Sequence, residues 1–190
     1  MRTNPIFAVL IALSFTIILS SCGYTLQGGG KLTGNVKSVS VMIFQNKSSE
    51  SGAEVIFTNA LIEELMRSSS VQVVESGRII AKDKINSKQD NQQINDVDAV
   101  IHGTIVSISF DALARTSEDV VYKRGLNAVV NVQMKSRNGD ILFSLNNFTE
   151  SESYSVTHSN LIDESVLKST LETVADRFAR RVVSQMTDDF

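Results

Sequence analysis

From Val36 to Phe44 the apolar residues alternate, with Val39, Val41 and Ile43 on one side and Met42 and Phe44 on the other. Period-two spacing predicts a strand, and apolar residues on both faces near its end predict an interior or covered one. Asn46-Lys47-Ser48-Ser49 turns the chain. The spacing then changes to that of a helix over about Ala53 to Arg67. Phe57, Leu61 and Leu65 recur every fourth residue, flanked by Ala60, Ile62 and Met66. Ser51 and Glu54 stand at the right separation for a capping box. Val71 to Glu75 reads as a short β-branched strand. Residues 77–97 are polar and long for a structureless loop in a compact domain, which predicts a short helix over 78–84 or mobility over 86–95.

Asp98 to Phe110 predicts a long strand. Ala99, Ile101, Gly103 and Ile105 share one face, and His102, Thr104, Val106, Ile108 and Phe110 share the other. A loop is expected over Ala112 to Asp119, followed by a strand from Val120 to Arg137 with a bulge near Gly125. Asn138-Gly139 is the clearest turn signal, because both central residues of a type I′ turn need positive φ. A two-residue loop closed by Arg137 and Asp140 pairs Met134 with Phe143, Val132 with Leu145 and Val130 with Asn147. Val130, Val132, Met134, Phe143 and Leu145 then make a dry face. Asn131, Gln133, Lys135, Ser144 and Asn146 make a wet one, as antiparallel sheets often show.

A last helix is predicted from about Leu161 to Met186. Ile162, Val166, Leu167, Leu171, Val174, Phe178, Val182 and Met186 form its apolar stripe, with Asn160 as cap and Asp163 in the first turn. Two amphipathic helices and a sheet with one dry face predict an α+β two-layer sandwich, both helices packed on one face of a mixed sheet of about four to five strands.

The N-terminal stretch is of another kind. Arg2 precedes an apolar run from Ile6 to Leu19, broken only by Ser14 and Thr16. Those 14 residues fall short of the roughly 20 that a membrane-spanning helix needs. A charged start, a short apolar core and a small-residue exit predict a secretory signal over residues 1–21. Leu19-Ser20-Ser21-Cys22 resembles a bacterial lipobox, which implies cleavage before Cys22 and acylation of its thiol. Gly23 rather than an aspartate follows, which by analogy with bacterial lipoproteins favours the outer membrane. Residues 22–35 hold five of the ten glycines and predict a flexible tether. The single domain is expected over 36–190.

Losing Arg2 with the signal shifts the formal charge of −3 to −4, so no broad basic surface for nucleic acid is expected. Cys22 is the only cysteine, which leaves no intramolecular disulfide and no cysteine nucleophile. His102 and His158 lie far apart, no metal-ligand spacing occurs, and His102 reads as structural within its strand. Glu63-Glu64 and Asp188-Asp189 read as solvated charge, so catalysis finds no support and no metal or cofactor is expected beyond the lipid on Cys22. Arg177, Arg180 and Arg181 read as cations placed near a helix C-terminus. Arg115, Lys123 and Arg124 flank the same inter-strand loop. They read first as solvated strand-edge charge and second as a phosphate contact.

Cys22-Gly23-Tyr24-x-Leu26-x-Gly28 resembles the mature start of the LptE family of lipopolysaccharide-assembly lipoproteins. Val39 to Ser48 resembles that family's first strand and its Phe-x-Asn-x-Ser/Thr turn, here Phe44, Asn46 and Ser48. Asp98 to Ile105 resembles its acid, apolar, Gly-x-Ile strand opening. The sequence departs in having Met42 where proline is frequent, and only His158 as a possible charge just before the last helix. The resemblance implies a non-enzymatic subunit of the outer-membrane lipopolysaccharide translocon on the periplasmic side. Such a subunit plugs the β-barrel LptD, assists its assembly and contacts lipopolysaccharide. Arg115, Lys123 and Arg124 are then the candidate lipopolysaccharide contacts, and Asn131, Gln133, Lys135, Ser144 and Asn146 the candidate barrel-facing surface. An alternative is a periplasmic regulatory lipoprotein, similar to curli-export lipoproteins or to activators of penicillin-binding proteins, that binds a protein partner.

Overall fold

The alternating stretches pair into one mixed sheet, and the two amphipathic helices cover one side of it. The computed structural model describes residues 31–68, 71–74, 97–118, 120–157 and 160–187. The elements are β1 (Ser38–Val41), β2 (Gln45–Asn46), α1 (Ala53–Ser68), β3 (Gln72–Val74), β4 (Ala99–Arg115), β5 (Val121–Ser136), β6 (Ile141–Ser155) and α2 (Asn160–Thr187). The strand order is β3-β1-β4-β5-β6, with β2 also on β4. β1 is parallel to both of its neighbours, and β4, β5 and β6 form an antiparallel meander. This is the expected α+β arrangement. The expectations for residues 77–96, for Glu75, for His158, for Asp188-Asp189 and for residues 1–30, Cys22 included, fall outside the described residues.

The first strand is shorter than expected. It ends at Val41, and pairing with β4 resumes at Gln45. Val41 sits opposite Ile101 and Gln45 opposite Thr104, so four steps on one strand match three on the other. The extra residue turns Phe44 into the core, where it is 2% exposed and lies over Gly103. Its backbone N–H is held by Thr58 Oγ1 at 3.0 Å. Asn46 organises the turn that follows. Its Oδ1 accepts from Ser48 N (2.9 Å) and Ser48 Oγ (2.7 Å), and its Nδ2 donates to Glu50 O and Glu54 Oε2. Glu54 is thereby diverted from the expected capping box. Gly52 (φ +87°) starts α1 instead, its carbonyl accepting from Val55 N and Ile56 N.

Asp98 locks the entry to β4. Its carboxylate accepts from the backbone N–H of Lys37 (3.0 Å) and Ser38 (3.1 Å), while its own N–H donates to Ser38. The Lys37 and Ser38 donors hold this carboxyl below the usual carboxylate range. A depressed folded-state pKa gives stability that is complete above the unfolded value of about 3.9 and is lost as pH falls through the lower folded value. Urea midpoints over an acid series are expected to drop below about pH 4. They should drop less steeply in Asp98→Asn, whose baseline is already lower.

Several register irregularities redirect the meander. β4 continues to Arg115, so Ala112 to Arg115 are strand rather than loop. The Asn138-Gly139 turn closes one residue wider than a type I′ turn. Only Gly139 has positive φ (+92°), Gly139 N bonds Ser136 O, and Ser136 N bonds Asp140 O. That is a three-residue loop with its left-handed position at glycine. Met134 still faces Phe143 and Val132 still faces Leu145, but Val130 faces Phe148 and not Asn147. Asn147, at φ +53°, is the extra residue of a bulge, with its N–H on Asn131 Oδ1 at 2.6 Å. A second bulge at Val106 lies between Ile105 and Ser107, and the irregularity expected near Gly125 falls just beyond it, where the register shifts at Ala112/Ala114 and again at Ala114/Arg115. Each bulge exchanges the two faces downstream. Ile108 therefore points into the core at 7% exposure, although alternation from His102 placed it outside. Asn147→Val is expected to cost about 1–2 kcal/mol from left-handed strain, whereas Asn147→Gly should keep the wild-type urea midpoint.

The core is continuous. Phe57, Leu61 and Leu65 of α1, Val174, Phe178 and Val182 of α2, and Ile101, Ile105, Val130, Val132 and Met134 of the sheet are essentially unexposed. α2 buries Ala175 and Ala179 beside its large stripe, small residues that let α1 pack closely. Met66, at the C-terminal end of α1, is 54% exposed. Leu32 is 1% exposed and Thr33 bonds Met186 O through both N and Oγ1, so the folded body takes in residues ahead of Val36.

Candidate functional site

Both described helices pack on the same side of the sheet, and among the described residues no element covers the opposite side of β4, β5 and β6, which forms an open surface. Asn131, Gln133 and Lys135 of β5 run along its middle and are half-buried, while Ser144 and Asn146 of β6 are exposed. Gln133 lies between His102 and Ser144, and Asn131 lies opposite Thr104. Beyond the two bulges the same surface continues through Ser107 and Ser109 on β4, Asn127 on β5, and Thr149 and Ser151 on β6. Simple alternation missed those residues. The signal was present, however: inward apolar spacing of two stretches to three between Ile105 and Ile108, and again between Leu145 and Phe148. The surface is rich in hydroxyls and amides and poor in charge. The exposed helical side, by contrast, carries Glu63, Arg67, Glu164, Lys168, Glu172, Asp176 and Arg180.

His102 belongs to this open surface and is exposed, not enclosed in an apolar strand. Partial burial, then the nearby Lys135 charge, lowers its pKa. It is therefore a neutral donor and acceptor at pH 7.

The three candidate cations sit near the far end of the β4–β5 hairpin. Arg115 ends β4 opposite Val121, Lys123 pairs with Ala114 and Ser155, and Arg124 pairs with Ala112 and Tyr154. Consecutive residues of a strand point to opposite faces. Lys123 is thus directed to the open side. Arg124 is directed to the helical side, where it borders a groove of about 620 Å³ with Tyr154, Val156 and Leu167. The fold does not bring these two side chains onto one anion. The same arm carries exposed apolar residues: Leu113 is 55% exposed, Tyr122 48% and Val120 38%.

The arginines of α2 have partners in the sheet. Arg177 and Arg181 reach Glu150 of β6, Arg181 Nη1 lying 3.2 Å from Glu150 Oε2, and Arg177 also pairs with Glu152. Their expected role at a helix C-terminus is replaced by a bridge between layers, because the bulge at Asn147 turns both glutamates inward. The last turn of α2 carries no basic residue. Glu64 also departs from its reading as solvated charge. It is 8% exposed and pairs with Arg67, while Glu63 is exposed. Among the described residues no group of three or more His, Cys, Asp or Glu is placed to hold a metal ion, and no helix is long and apolar enough to cross a membrane.

The geometry matches that of known bacterial lipoprotein domains. The rare lipoprotein B of Shewanella oneidensis is similar at 15% identity over 79% of this chain and 93% of that one, with a TM-score of 0.50. A lipoprotein B from Nitrosomonas europaea is similar at 13% identity over 87% and 94%, with a TM-score of 0.51. No curated protein matches the chain. The architecture is thus that of a lipoprotein-B-type α+β domain, two helices on one face of a mixed sheet. The LptE lipopolysaccharide-assembly model matches residues 36–189, and the chain belongs to that family. Its role accordingly lies in lipopolysaccharide assembly, and the family is a non-enzymatic one.

Proposed function

We propose that this chain is a lipid-anchored, non-enzymatic subunit of the outer-membrane lipopolysaccharide translocon, seated in the LptD β-barrel and aiding that barrel's assembly. Residues 1–21 direct export, Cys22 carries the acyl chains, and the domain stands on the periplasmic side of the outer membrane. A single acyl chain binds only marginally, so stable anchoring at Cys22 takes two or more.

The observation that carries this reading is the asymmetry of the two faces. The cores of protein interfaces are depleted in charge, and the lumens of large outer-membrane barrels are polar. A surface built on Asn131, Gln133, Ser144 and Asn146, with Lys135 beside Gln133 on the same strand face, suits such a wall. The charged helical side suits water. Arg115, Lys123 and Arg124, set on an arm with exposed apolar residues, suit an amphiphile that bears phosphates. Because Lys123 and Arg124 face opposite ways, they contact different phosphate groups.

The test is affinity purification at native abundance. LptD should co-purify with the wild-type protein. A protein that purifies alone, and whose level does not change when LptD is depleted, contradicts the reading. Charge reversal at Arg115, Lys123 and Arg124 together should weaken lipopolysaccharide capture while leaving the barrel complex intact.

A further inference from the structure

Among the described residues β6, 15 residues long, is the last strand of the sheet and pairs only with β5. Its second half has a defined polarity. Val156 N donates to Tyr122 O at 3.0 Å, and the register back to Phe148 is unbroken. Antiparallel pairing alternates, so Tyr154, Glu152, Glu150 and Phe148 turn their backbone groups to β5. Thr149, Ser151, Ser153 and Ser155 turn theirs away from the sheet. Among these, Ser153 N is held by Glu152 Oε1 at 3.0 Å. The rest of this row is a template for another strand.

We infer that the 148–155 edge of β6 accepts an extended segment of a protein partner as a seventh strand. Side chains on this stretch specify the occupant. The outer face offers only hydroxyls, at Thr149, Ser151, Ser153 and Ser155. The helical face offers Glu150 and Glu152. Glu150 is 5% exposed, and its Oε2 has no hydrogen-bond donor although Arg181 lies near. An added strand sets a side chain within about 5 Å of Glu150, where a lysine, arginine or hydroxyl donates to that oxygen. A second copy of this chain is the wrong occupant. Antiparallel self-pairings centred on this stretch place Glu150 or Glu152 opposite another glutamate, and like charges directly opposite are destabilising.

The inference deepens the translocon reading and rests on it, since the partner tested is the co-purified barrel. Amide exchange at Thr149, Ser151 and Ser155 is measured in the lipidated protein alone and in its LptD complex. Exchange is expected to slow by roughly tenfold or more in the complex. Ser151→Pro removes an outward N–H and leaves the β5 ladder whole. It should weaken the complex by roughly tenfold, one hydrogen bond's worth of affinity, while the free protein melts as wild type and Ser151→Ala binds normally. Unchanged exchange in an intact complex overturns strand addition and leaves the translocon reading standing, as does full binding by a folded Ser151→Pro. Failure of the barrel to co-purify at all overturns both.

Discussion

Phe178→Ala is expected to cost about 3–5 kcal/mol, enough to unfold a domain of ordinary stability under mild conditions. Phe178 is unexposed and stands where the layers meet. Its ring meets Phe57 of α1 edge-on at 5.3 Å between centroids, Phe148 of β6 at 5.9 Å and Phe44, ahead of β2, at 6.0 Å. Each such pair adds about 0.5–1.5 kcal/mol to what burial alone gives. Truncation leaves a cavity bounded by three rings on three separate elements, and no one element can move to fill it. Urea unfolding of the mature protein measures the loss. A drop of less than about 1 kcal/mol would show that the helix layer is held by something other than this cluster.

Gly103→Ala is the second large effect. A methyl group at Gly103 would sit well inside van der Waals contact with the Phe44 ring. Both neighbouring strands hold the backbone of Gly103, and Phe178 backs Phe44, so neither partner can retreat. Overpacking of this kind costs about 1–3 kcal/mol. The cause can be isolated by a double-mutant cycle with Phe44→Leu. That substitution is destabilising alone but removes the ring that the methyl meets. Gly103→Ala should cost clearly less in the Phe44→Leu background, and equal costs in both backgrounds would place the strain elsewhere.

These two substitutions touch residues through which the chain resembles its family. Phe44 and Gly103 fit together across the sheet, Asn46 and Ser48 build the turn that aims α1, and Asp98 clamps the start of β1. The recognisable motifs are therefore folding devices. They report the family faithfully and say little about what is bound. Arg115, Lys123 and Arg124, the residues proposed to meet lipopolysaccharide, lie on an arm that those motifs do not include.

Much of the architecture could be read directly from periodicity. α1 spans Ala53–Ser68 against an expected Ala53 to Arg67, and the β5–β6 register is right for the pairs nearest the turn, Met134 with Phe143 and Val132 with Leu145. Errors began where one extra residue entered a strand. The bulges at Val106 and Asn147 each reverse inside and outside beyond them, so Ile108 moved inward and Glu150 followed. A buried glutamate on an edge strand breaks the alternation rule unless its arginine partners are known. Those partners, Arg177 and Arg181, come from a helix some 30 residues later, beyond the reach of any local pattern. The polar face was legible near the turn, from Asn131 to Asn146. Its extension through Ser107, Asn127 and Thr149 needed the corrected register.

The central claim is that the open sheet face, and not the charged helical layer, meets the barrel. A photo-crosslinking residue at Gln133, in the middle of that face, tests it in living cells against the same residue at Glu172 on the exposed side of α2. A strong LptD adduct from position 133 and little from 172 is the expected result. Adducts from 172 alone, with 133 meeting only water, would contradict it.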